Sequence, residues 1–190
     1  MLFHSLEFLF AFLPASVIGF FLLQRFVNDR AALVWFIAVS LFFYGWWNPA
    51  YLWLLLGSMA FNYLWGKALM RLVTHRKTLL IAGIACNLLL LGYFKYANFF
   101  ADTANDILRT NWTLSQIILP LGISFFTFEQ ITWLLETYER KTERTTLLQY
   151  CVFLTNFPKL IAGPVIRPHE LLPQIENTEG RKLKIEHLSV

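Results

Sequence analysis

Six long apolar stretches organise this chain, at Leu2–Leu23, Ala31–Trp47, Tyr51–Leu69, Thr78–Phe94, Ile117–Leu135 and Leu147–Ala162. Crossing about 30 Å of hydrocarbon takes about 20 helical residues, fewer where flanking side chains reach back to the interface. The pattern predicts an all-α, polytopic membrane protein with about five to six transmembrane or re-entrant helices, and residues 1–190 form parts of one domain. Membrane β-strands would instead alternate apolar and polar positions over short segments, which these runs do not.

Composition agrees, with 57% apolar and 15% charged residues, too few polar groups for a soluble or a disordered chain. The net charge of +4 does not point to nucleic acid, because Lys and Arg sit at the ends of apolar runs rather than in one basic patch. No Lys or Arg precedes the first stretch, which contains Pro14 and no small-residue cleavage site, so that helix is expected to stay in the mature protein. Cys86 and Cys151 lie in separate apolar runs without C-x-x-C spacing or a neighbouring His, and are expected to be inert buried thiols rather than metal ligands. His4, His75, His169 and His187 fall in polar or segment-end positions and are expected to be ordinary interfacial imidazoles.

The cations set a topology. Arg25 and Arg30 mark the first connection, Lys67, Arg71, Arg76 and Lys77 the third, and Arg140, Lys141 and Arg144 the fifth, whereas the turn at Asn48-Pro49 has none. The positive-inside rule then puts those three connections in the cytoplasm and the N-terminus outside. Simple alternation would place the tail outside too, yet it carries Arg167, Arg181, Lys182 and Lys184. A broken or re-entrant segment at 157–164, FPKLIAGP, would reconcile the two, since Pro158, Gly163 and Pro164 cannot continue a regular helix. Residues 168–175 read as a short amphipathic interfacial helix or a solvated linker. Trp46, Trp47, Tyr51 and Trp53 cluster at the short second turn, as an interfacial aromatic belt does. Asn111-Trp112-Thr113 fits a glycosylation sequon, a triplet common by chance.

Polar groups among apolar ones mark three places of interest. In GYFKYAN, residues 92–98, Lys95 is flanked by Tyr93 and Tyr96, which fits a snorkelling cation at a helix end or a polar lining. In PLGISFFTFEQ, residues 120–130, Pro120 suits a first helical turn and Gly122 allows close backbone approach. Glu129, Thr132 and Glu136 then share one helix face, so Glu129 should point into protein, in an interhelical hydrogen bond or in substrate handling. In FPKLIAGPVIRP, Lys159 and Arg167 bracket Gly163-Pro164, whose non-helical backbone would line a passage or form a tight internal turn.

Taken in order, these strings resemble the membrane-bound O-acyltransferase (MBOAT) family, above all its alginate O-acetylation branch and more distantly the teichoic-acid D-alanylation proteins. The carriers are Phe8-Leu9-Phe10 with Pro14, Tyr44-Gly45-Trp46-Trp47, Phe61-Asn62-Tyr63, Gly92 to Asn98, Pro120 to Phe128, and Phe157 to Pro164 followed by Arg167. Glu129 departs from the Gln or His frequent in that branch, and Glu136 from its Asp.

The resemblance implies the N-terminal part of a membrane fold more than twice this length. Its implied activity is transfer of an acyl group, acetyl in this branch, across a bacterial inner membrane to hydroxyls of an exported polysaccharide such as alginate. The family's catalytic His lies in a downstream apolar helix, with an upstream Asn or Asp in many members. No position here matches either, so no catalytic residue is assigned and the chain alone is expected to be inactive.

Tunnel-lining candidates are Lys95, Tyr96, Ser124, Thr127, Glu129, Lys159 and Arg167, with Pro120, Gly122, Pro158, Gly163 and Pro164 shaping the backbone. No cofactor is expected to be bound; an activated acyl carrier such as acetyl-CoA would be the donor substrate. The implied partners are membrane lipid, the downstream half, periplasmic acyltransferases and the polysaccharide acceptor. The competing readings are a channel or transporter subunit using the broken segment, and an inactive truncated product. A transporter would show paired interrupted helices in two halves, and the sequence has one such stretch and no repeat.

Overall fold

The computed structural model describes residues 5–72, 74–108, 117–142, 145–157, 159 and 166–176, without the side chains of Trp47, Leu108, Ile175 and Glu176. Among these residues the regular structure is entirely helical. A five-residue π-type turn, Phe8–Phe12, leads into α1, Leu13–Phe26. Pro14 accounts for it: a proline has no N–H for the carbonyl four residues back and its ring crowds that carbonyl, so the preceding turn widens.

Helices α2, Asp29–Trp47, and α3, Pro49–Arg71, form a hairpin around one residue. Asn48 ends α2 in an extended conformation and caps α3, its side chain accepting from the Ala50 amide at 3.0 Å, with Pro49 pre-set for the first helical position. Asn28 caps α2 in the same manner, accepting from Ala31 at 2.7 Å.

Helix α4, Arg76–Leu108, has 33 residues and is about 50 Å long, well beyond the hydrocarbon thickness. The polar stretch after Lys95 therefore continues the helix as far as Leu108; no Pro or Gly interrupts it there. Helices α5, Ile123–Tyr138, α6, Leu147–Thr155, and α7, Pro168–Glu176, complete the fold. Among the described residues three helical stretches are both long and apolar enough to cross a membrane, Phe8–Phe26, Asp29–Trp46 and Arg76–Ile107. The fifth and sixth apolar runs give shorter helices than their lengths suggested. Residues 117–122 precede α5 as non-helical chain, held by Asn98, which exchanges two hydrogen bonds with the Ile117 backbone, and by the Tyr51 hydroxyl donating to the Ile118 carbonyl. Helix α6 stops at Thr155, ahead of Pro158, Gly163 and Pro164, which lie outside the described residues, as do the sequon and the basic tail.

Helix α5 runs through the middle. Its residues Ile123, Phe126, Trp133 and Leu134 pack with Tyr44 of α2, Leu55, Met59 and Leu69 of α3, Leu80 and Leu91 of α4, and Tyr150, Phe153 and Leu154 of α6. The outer helices instead turn apolar side chains outward, among them Ile18, Leu22, Val34, Trp53, Leu64, Leu89 and Phe100, as a lipid-facing surface requires. Cys86 belongs to that outer surface and Cys151 is half-buried, so the expectation of two buried thiols is corrected. The cause is register: α4 faces α5 with Leu80, Asn87 and Leu91, and Cys86 lies about 100° round the helix from Asn87.

Three helix crossings are closed by a glycine under a tryptophan ring: Gly19 under Trp35, Gly66 under Trp133 and Gly83 under Trp65. The ring N–H of Trp35 donates to the Ser16 carbonyl at 3.1 Å and that of Trp65 to the Leu79 carbonyl at 2.9 Å, so the rings also lock helix register. A Cβ at Gly66 would lie 2.9 Å from Trp133 Nε1, whereas at Gly92 it would meet nothing within 4 Å. Gly66→Ala is expected to cost about 1–3 kcal/mol, and Gly92→Ala to be neutral or stabilising by up to about 1 kcal/mol. Thermal unfolding of both variants in detergent, followed by loss of the monodisperse chromatographic peak, checks the contrast; equal melting temperatures would refute it.

Candidate functional site

The interior of the bundle is polar along one helix. On α5, Gln130 Oε1 accepts from Ser58 Oγ at 2.7 Å and from Asn62 Nδ2 at 2.6 Å, both on α3. Asn62 in turn pairs with Asn87 of α4 in both directions, at 3.0 and 2.7 Å. Two of these side chains also bond the carbonyl four residues back, Asn62 to Ser58 and Asn87 to Gly83. All four are buried, so α3, α4 and α5 are joined by amides that have no water to bond instead.

One position along α5, Glu129 turns to a different neighbour. Its Oε1 lies 2.9 Å from Lys159 Nζ, and the two side chains are only 2% and 5% exposed. The Lys159 ammonium also sits 4.2 Å from the centroid of the Phe153 ring. A buried cation is held in this way by a carboxylate on one side and a ring face on another. Glu129 Oε2, Thr127 Oγ1 and Gln130 Nε2 are buried without a hydrogen-bond partner among the described residues. Thr127 and Gln130 stand about 60° apart on α5 and Glu129 on another side of the helix, so each leaves a buried polar atom that a neighbouring group or water would complete.

Two turns further along, Glu136 is also buried. Its Oε2 accepts from the backbone N–H of His169 at 2.9 Å, and its Oε1 lies 2.5 Å from His169 Nδ1. A carboxylate thereby caps the first turn of α7, where an anion is favoured by the free amides and the helix dipole. The two carboxylates of α5 thus bind Lys159 and His169, one on either side of residues 160–165. Arg76 closes the same end of the bundle, donating to the carbonyls of Leu69 at 3.2 Å and Tyr138 at 2.6 Å, where α3 and α5 finish. Beyond α5, the Lys141 ammonium 2.6 Å from Glu139 holds that carboxyl below its ordinary range, with Arg167 and His169 adding to the effect.

Of the residues singled out in the sequence, the fold brings together Glu129 and Lys159, while Thr127 is buried about 200° round α5 from Glu129. Ser124 is half-buried one turn earlier on α5, behind Gly122, which takes the left-handed conformation at φ 67° and starts the helix, while the Pro120 carbonyl accepts from the Ile123 amide at 3.3 Å. Lys95 and Tyr96 are not part of this interior. Phe94 takes the inward position on α4, so Lys95 is exposed with its ammonium 5.5 Å from the Tyr96 ring centroid. Arg167 is likewise exposed, at the residue before α7. His169, expected to be an ordinary interfacial imidazole, is partly exposed and bonded to Glu136. Ser58, Asn87 and Gln130 carried a signal that was available, an amide or hydroxyl amid apolar helix, but one that small neutral side chains give faintly.

Removing one partner of a buried ion pair leaves a charge without compensation, at a cost of about 3–5 kcal/mol. Lys159→Met and Glu129→Leu are each expected to destabilise by roughly that amount, and the double variant to lose less than either single one. Melting curves of the three proteins in one detergent check this; additive losses would mean that the pair is not coupled.

Over its whole length the chain is 34% identical to a peptidoglycan O-acetyltransferase of Helicobacter pylori, of which it covers 41%. Over 93% of its length it is 37% identical to a probable alginate O-acetylase AlgI of Pseudomonas aeruginosa, of which it covers 35%. For the probable alginate O-acetylase AlgI of Pseudomonas syringae pv. tomato the identity is 39%, with the same coverage. No family model and no solved structure matches the chain. The chain thus spans 35 to 41% of the length of these relatives. Its helical membrane fold and its similarity to these O-acetylases along nearly every residue agree, and both are consistent with an N-terminal portion of an AlgI-like membrane-bound O-acyltransferase.

Proposed function

We propose that this chain is the N-terminal part of a membrane O-acyltransferase that passes an acetyl group from a cytoplasmic donor to hydroxyls of a polysaccharide outside the cell membrane. The observation that carries the reading is similarity along 93 to 100% of the chain to relatives named as O-acetylases of peptidoglycan and of alginate. The protein sits in the bacterial inner membrane with its N-terminus outward, so that Arg25, Arg30, Arg71, Arg76 and Lys141 lie on the cytoplasmic side. The donor is acetyl-CoA or another activated acyl carrier. Periplasmic acyltransferases act with it on the acceptor.

The part played by these residues is structural support for the chemistry. Attack by an alcohol needs a positioned base, and in this reading a His in the downstream portion takes the hydroxyl proton. An activated acyl group must also be kept from water until the acceptor arrives. The amide cluster of Ser58, Asn62, Asn87 and Gln130 holds three helices at fixed register. The Glu129–Lys159 pair adds a fixed buried charge pair on a neighbouring face of α5. A wall of this kind positions a reacting group through its rigidity.

The test is a chromosomal deletion of the complete reading frame, complemented with either the full-length protein or residues 1–190 alone. Base-labile acetate is then measured separately in exported polysaccharide and in peptidoglycan. Deletion is expected to lower ester-linked acetate in one of the two polymers, the full-length protein to restore it and residues 1–190 to leave it low. Unchanged acetate in both polymers after deletion would overturn the reading.

A further inference from the structure

A groove of about 390 Å³ runs between α1, α2, α6 and α7, lined by Val17, Phe20, Phe21, Leu33, Val152 and Leu171 among others. Its walls are almost wholly apolar, and the Ser16 hydroxyl within it is bonded to the Phe12 carbonyl. Along α1 it extends from Leu13 to Phe21, about 12 Å, close to the depth of one leaflet of a bilayer with a core of about 30 Å. One end is different in charge. Arg25 follows Phe21 by one helical turn, Arg30 precedes Leu33 by nearly one, and Arg167 precedes Leu171 by one, its carbonyl accepting from the Leu171 amide.

All three arginines are exposed, and no ion pair among the described residues engages them. The nearby acids have other partners, although Asp29 leaves a carboxylate beside Arg30. Asp29 accepts from Gln24 at 2.9 Å within the first turn of α2, and Glu139 is bonded to Lys141. Glu170 lies 3.9 Å from His169 Nε2. An apolar slot one leaflet deep, ending at three exposed arginines of which Arg25 lies over the Phe26 ring and Arg167 acts on Glu139 only at longer range, matches an acyl chain joined to an anionic headgroup.

We propose that this groove binds one acyl chain of an anionic phospholipid, with the lipid phosphate against Arg25, Arg30 and Arg167. The site is separate from the α5 interior, so the lipid is a bound structural component and not the acyl donor. It does not depend on the acetylation reading.

The experiment uses the full-length protein in vesicles containing phosphatidylglycerol or phosphatidylcholine with a photoactivatable diazirine in the acyl chain, and maps adducts by mass spectrometry. Adducts on the α1 segment holding Val17 and Phe21 are expected with phosphatidylglycerol in clear excess over phosphatidylcholine. Val17→Trp, which fills the slot, is expected to abolish them, and Leu33→Trp serves as the second filling variant should the first fail to fold. Each Arg→Ala change at positions 25, 30 and 167 is expected to lower the preference for phosphatidylglycerol about five-fold. Equal labelling by the two lipids, or labelling that survives both tryptophan variants, would overturn the proposal. So would cysteines at Val17 and Val152 cross-linking to the downstream half of the chain or to a second copy, which would mean that protein fills the groove.

Discussion

A polar side chain inside a membrane bundle has no water to fall back on, and the Gln130 carbonyl meets that constraint by accepting from Ser58 and Asn62 on a facing helix. Asn62 and Asn87 then satisfy each other across α3 and α4. Each bond of this kind is worth only about 0.6 kcal/mol on average between membrane helices. Their larger consequence is register: sliding any one of the three helices by a residue would leave several buried amide groups unpaired at once. The glycine–tryptophan crossings act on the same helices from the packing side, because Gly66 and Gly83 let Trp133 and Trp65 lie against the neighbouring backbone.

Around this fixed centre the charged groups are arranged by where the chain returns. Helix α5 carries two buried carboxylates, Glu129 and Glu136, that would each be costly if left alone in a low-dielectric interior. Each meets a basic group from beyond α6, an ammonium at Lys159 and an imidazole with a helix N-terminus at His169. The segment after α6 therefore supplies the counter-charges of α5, and its two flanks are tied to one helix. Such ties keep the buried charges of α5 in place. They also fix α7, whose Leu172 packs with Leu33 and Val152 on the outer side.

Much of the fold was legible in the chain. The apolar runs matched helices α1 to α3 nearly end to end, because local devices bound them, Asn28 and Asn48 as caps and Pro49 at a first turn, whereas α4 runs on from Phe94, the end of its apolar run, to Leu108. Helix α7 was legible as an amphipathic option at residues 168–175. The start of α5 was not, since Ile117–Pro120 is as apolar as a helix but its backbone is held by side chains from other elements, and the end of α6 at Thr155 comes before the interruption read at Pro158. For Ile117 and Ile118 the deciding partners, Asn98 and Tyr51, come from far along the chain.

The sequence by itself determined the solvent of this protein, its helical class and the helix face on which Glu129 and Glu136 stand, because hydrocarbon thickness and the 3.6-residue period act on local pattern alone. Only the tertiary structure decided which polar residues share a site. Lys95 and Glu129 look alike in sequence, each a charge beside aromatic rings, yet one is exposed and the other is paired with Lys159. That difference rests on the rotation of α4 about its axis, set by Leu80, Asn87 and Leu91 against α5, and such a rotation comes from contacts between helices rather than from either helix alone.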